Sequence, residues 1–88
     1  MYRQQVNSRN IVLAILDYIA SRHCSESLVF FSKAEFIKTY YYLRARKAIP
    51  SIKIETLLRM LRKLAASSNF LYYTERKGIY MLDPIAMP

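Results

Sequence analysis

Ser51-Ile52-Lys53-Ile54-Glu55-Thr56-Leu57-Leu58-Arg59-Met60-Leu61-Arg62-Lys63-Leu64 repeats its apolar residues with the period of a helix. Ile54, Leu57, Leu58, Leu61, Leu64 and Ala65 cover one side, with Leu58 and Leu61 read as inward. Ile52, Thr56, Arg59 and Lys63 cluster on the other side, with Lys53 and Arg62 at its flanks. A helix from about Ile52 to Ala66 is predicted, with Ser51 as its cap. Ala48-Ile49-Pro50-Ser51 is the turn before it, since Pro50 disfavours helical geometry at Ile49.

Upstream, Ser32-Lys33-Ala34-Glu35 has the form of a capping box, so a helix should start at Lys33. Its stripe is Phe36, Ile37, Tyr40 and Leu43, and it frays into Arg44-Ala45-Arg46-Lys47. Leu28-Val29-Phe30-Phe31 before it reads as one short strand. A first helix runs from Ser8, its cap, to about His23, with Ile11, Val12, Ile15, Leu16 and Ile19 on one face. Residues 1–7 carry little pattern and are expected to form a mobile arm. Downstream, Phe70–Thr74 and Ile79–Leu82 are strand-like around Glu75-Arg76-Lys77-Gly78, a loop length that suits a β-hairpin. Asp83-Pro84 stops the last strand, and 84–88 is a tail.

The chain has 88 residues, enough for one domain and no second core. An α+β domain is expected, and 53% hydrophobic residues suffice for its interior. No apolar run approaches the roughly 18 residues that a membrane span needs. One cysteine, Cys24, makes no intramolecular disulfide, which suits a reducing cytoplasm. Fourteen Lys plus Arg against six Asp plus Glu give a formal charge of +8, and such a balance favours a polyanionic partner. Placement narrows the choice. Between Arg44 and Lys63 seven bases stand against a single acid, Glu55.

The order of elements, with a tight turn before a basic third helix and a hairpin with a basic tip after it, resembles the winged helix-turn-helix family. The resemblance spans Ser8 to Asp83. It is carried by Ser51–Leu64 and by Arg76-Lys77-Gly78-Ile79-Tyr80-Met81-Leu82. Many members have a glycine before the first wing strand; here the junction is Ser67-Ser68-Asn69, and Asn69 is expected to take the left-handed conformation. Scarce Gly, no Trp and much Ile, Tyr, Lys and Arg give the composition an archaeal or thermophilic character.

The resemblance implies sequence-specific binding of double-stranded DNA and transcriptional regulation by a cytoplasmic, nucleoid-associated protein. By family geometry Ser51, Ile52, Lys53 and Thr56 read bases in the major groove, with Arg59 one turn on. Arg62 and Lys63 fall to phosphates, as do Arg44, Arg46 and Lys47 where the second helix meets the turn. Arg76 and Lys77 at the hairpin tip enter a minor groove or track the backbone. Most of the eight tyrosines are expected to serve packing.

Catalysis finds little support. His23 and Cys24 are adjacent, no second His or Cys completes a zinc set, and no glycine-rich phosphate loop is present. No catalytic residue, metal, cofactor or small-molecule ligand is expected. Two readings stay open beside the first: a winged helix used for protein–protein contact, and an architectural or replication-associated DNA-binding component. A homodimer is admitted but not specified, since the apolar breadth of the first helix and the 84–88 tail are its candidate surfaces. Peripheral membrane binding is disfavoured because the helices need their apolar faces for the core.

Overall fold

The computed structural model describes residues 7–88, and the expected arm at 1–6 lies outside them. Three helices, α1 (Ser8–Ser21), α2 (Lys33–Ala45) and α3 (Ile54–Ser67), pack with three strands, β1 (Val29–Ser32), β2 (Leu71–Tyr73) and β3 (Ile79–Leu82). The result is a small α+β domain. Asn7, not Ser8, caps α1: its side chain accepts from the Asn10 amide at 3.2 Å, which fixes a residue expected in the arm. The helix ends at Ser21 with Arg22 as its cap, before His23.

β1 does not stand alone. The sheet order is β1-β3-β2, all antiparallel, so the short upstream strand completes the hairpin. Val29, Leu82 and Leu71 lie side by side and buried. The next row, Phe30, Met81 and Tyr72, lies on the opposite face, as strand alternation requires, and Phe30 and Tyr72 are exposed. Phe31 then stacks on Tyr80 at 5.6 Å and on Phe36 of α2 at 6.2 Å, joining sheet to helix. α1 packs against both other helices, and α3 against β2.

Ser32 ends β1 and caps α2 at once, its hydroxyl accepting from the Glu35 amide at 3.0 Å. The return arm of the capping box is not made. The Glu35 carboxylate lies instead 4.0 Å from His23 Nε2, and His23 Nδ1 is 2.9 Å from Glu26. Along α3 the buried line is Leu57, Leu61 and Leu64, whereas Leu58 is only partly buried. The apolar breadth of α1 is absorbed, because Leu13 and Tyr18 also pack against the core.

After α3 the backbone does not turn through a left-handed Asn69. Positive φ among the described non-glycine residues occurs at Lys47. Ser68 makes the junction, its hydroxyl accepting from the Leu71 amide at 3.2 Å. The tail begins with a short 3-10 turn, Pro84–Ala86, capped by Asp83, and Ala86 and Met87 rest on the core. Among the described residues no helix is long and apolar enough to cross a membrane.

Candidate nucleic-acid interface

The end of α2 is ordered, not frayed. Lys47 adopts φ 61, its amide donates to the Arg44 carbonyl and the Ala48 amide to the Leu43 carbonyl, both at 2.9 Å. That pair of bonds is a Schellman closure, whose left-handed position favours glycine. The arginines beside it are held over aromatic rings. Arg44 lies 5.2 Å from the Tyr41 centroid and Arg46 lies 5.3 Å from that of Tyr42. Cation–π attraction and a planar support restrict the guanidiniums while leaving their edges free to donate. Tyr42 in turn rests on Tyr18, with centroids 5.5 Å apart.

Tyr40, fully buried, fixes the path of the chain into α3. Its hydroxyl donates to the Ile52 carbonyl at 2.9 Å and accepts from the Ile52 amide at 2.8 Å. Burial pushes this phenol up, but bonding to Ile52 and Ser51 and the Arg44 guanidinium outweigh it and hold it below its ordinary value. Both backbone groups of Ile52 are thus engaged ahead of the helix. It begins at Ile54, two residues later than expected. Lys53, and not Ser51, is the cap, and Ser51, Ile52 and Lys53 form a non-helical approach to the helix instead of its first turn, with Lys53 extended.

The cap position falls on Lys53, which makes no side-chain bond to the helix. Lysine has no acceptor for the free amides of a first turn. The positive end of α3 is thus left open, with a cation beside it. Glu55, the lone acid of the region, sits in that first turn, where the helix dipole favours a negative charge. Further along, Arg59, Arg62 and Lys63 are exposed and Thr56 is half-buried. Arg59 faces outward, whereas Arg62 turns toward the hairpin and lines a hollow there with Lys77 and Tyr80.

The hairpin tip is internally braced. The Thr74 hydroxyl donates to the Ile79 carbonyl at 2.8 Å and accepts from the Arg76 amide at 3.2 Å. Gly78 takes φ +75, donates its amide to the Tyr73 hydroxyl and accepts from the Lys33 amide, both at 2.8 Å. The loop carrying exposed Arg76 and Lys77 is therefore tied to the start of α2. Arg44, Arg46, Lys47 and Lys53, at the end of α2 and in the turn, are each exposed, as are Arg59 and Lys63 on α3.

The ion pairs among the described residues both involve His23, so no described lysine or arginine is matched by a carboxylate within 4.0 Å. Packing explains fewer tyrosines than expected: Tyr40 and Tyr80 are buried, whereas Tyr41, Tyr42, Tyr72 and Tyr73 are exposed. Lys33 lies beside the hairpin tip unforeseen, since the β1–β3 register brings it to Gly78. No three His, Cys, Asp or Glu side chains gather to hold a metal ion among the described residues. Comparison of the chain with family models, curated proteins and solved structures gives no match.

Proposed function

We propose that the chain is a winged helix-turn-helix domain that binds double-stranded DNA sequence-specifically and regulates transcription. In this reading α3 enters the major groove and the β2–β3 hairpin is the wing. One observation carries it. The exposed cations of the α2 end, the turn, α3 and the hairpin tip are paired with no carboxylate among the described residues. An unpaired cation is available to displace counterions from phosphate, which drives duplex binding. The open positive end of α3 beside Lys53 suits a backbone phosphate. Thr56 and Arg59, three apart and hence neighbours, are the base-reading pair.

A second reading, a protein–protein module, is favoured by the exposed Phe30 and Tyr72 flanking Met81 on the outer sheet face. A salt-dependent titration on duplex, single-stranded and scrambled DNA separates the two. With about five to eight phosphates neutralised, log affinity for duplex falls against log salt with a slope of about −4 to −7. A flat response, or tighter binding to single strands than to duplex, overturns the DNA reading.

A further inference from the structure

The second half of α3, the hairpin and the start of α2 border a half-open hollow of about 550 Å³. That volume lies within the range of small-molecule sites. Its lining divides into two kinds of chemistry. Lys33, Arg62 and Lys77 bring three cations from three elements, and no acidic residue lines the space. Tyr73 and Tyr80 supply an aromatic wall, their rings set edge to face at 4.9 Å, and Ala65 and Ala66 leave the room opposite.

A duplex backbone gains nothing from apolar walls. The walls select a ring, and the cations select a negative charge. We propose that this hollow binds a small planar aromatic anion, with its ring against Tyr73 and Tyr80 and its phosphate or carboxylate toward Lys33, Arg62 and Lys77. The Tyr80 hydroxyl makes no hydrogen bond among the described residues and is free to donate to the ligand. Burial and Tyr73 push that phenol up, against a smaller opposing pull from Arg62, so it keeps its proton.

The sequence carries no sign of the site, because its walls come from three separated segments. One consequence rests on the DNA reading: an occupant engages Arg62 and Lys77 and withdraws both from duplex. Binding itself is measured without DNA, so the two ideas fail separately.

Calorimetric titration of the full chain uses two probes, adenosine monophosphate and 2-naphthoate, with adenosine and inorganic phosphate as half-probes. At least one probe binds with Kd below about 1 mM, and each half-probe binds about tenfold more weakly. Arg62→Gln and Lys77→Gln, both exposed positions, each weaken the probe about five- to tenfold. Arg59→Gln, outside the hollow, changes it less than about twofold. Silence from both probes, phosphate binding as tightly as adenosine monophosphate, or equal losses from Arg59→Gln and Arg62→Gln overturns the site. A probe that binds yet leaves duplex affinity unchanged overturns the competition.

Discussion

Lys47 is the residue at which conformation and charge disagree most openly. A left-handed backbone costs an L side chain roughly 1–2 kcal/mol, and φ 61 places Lys47 there, at the position of the Schellman closure that glycine occupies most readily. Strain of this kind persists where the surroundings over-determine it, and it accumulates at working sites. Here the closure is imposed by two backbone bonds, and the side chain it displays is an exposed cation next to Arg46. Lys47→Gly relieves the strain at a smaller cost in chain entropy, so stability rises by about 0.5–1 kcal/mol. In a domain of this size that is a melting increase of roughly 2–8 °C. The same change removes one phosphate partner, and the salt slope for duplex shallows by about 0.9. A melt that falls rules out relieved strain; a slope that stays put removes Lys47 from the interface.

α3 presents the same conflict at the scale of an element. Its cap is a lysine with no bond to offer the first turn. Lys53→Ser supplies the missing acceptor, worth about 0.5–2 kcal/mol, and raises the melting temperature while lowering duplex affinity. If affinity is unchanged, the open helix end has no anion to hold. On the inner side, Leu61 is fully buried and Leu58 is not. Leu61→Ala should cost roughly 2–5 kcal/mol and Leu58→Ala clearly less; equal losses in paired melts mean that the helix is turned differently from its burial pattern. Leucine spacing was enough to locate this helix and its inward side, because a 3.6-residue period is a local signal. Its start was not legible. A Ser after Pro50 is a good local cap, but the bonds that hold the approach to the helix come from Tyr40, twelve residues upstream. Pairing of β1 with β3 was equally hidden, for Leu28–Phe31 names no partner. With that register unknown, Lys33, Gly78 and the hollow between them stayed out of sight, as did the exposure of four tyrosines. The basic residues of the candidate surface were legible singly; that no carboxylate pairs with them was not.

For the molecule as a whole the question is whether its charge of +8 acts as a field or through contacts. A field treats all cations alike, and at physiological salt it decays over about 8 Å. Contacts do not treat them alike. Arg76 and Lys77 stand on a loop braced by Thr74 and tied to α2 through Gly78, whereas Arg59 and Lys63 stand on α3. The double variants Arg76→Ala/Lys77→Ala and Arg59→Ala/Lys63→Ala each lower the formal charge by two, and all four positions are exposed. A pure field predicts the same loss from both on every duplex. Contacts predict that the hairpin pair weakens selected and random duplexes alike, shallowing the salt slope by up to about two. The α3 pair should additionally erase part of the preference for a selected site, since one good side-chain–base contact discriminates by about 1–3 kcal/mol. Site selection from a random duplex library, followed by salt titration of both variants on the winning and a scrambled sequence, reads the two effects separately. Identical proportional losses on both sequences make α3 an electrostatic grip and the domain an architectural component. A shift of preference on losing the hairpin pair transfers sequence reading from the helix to the loop.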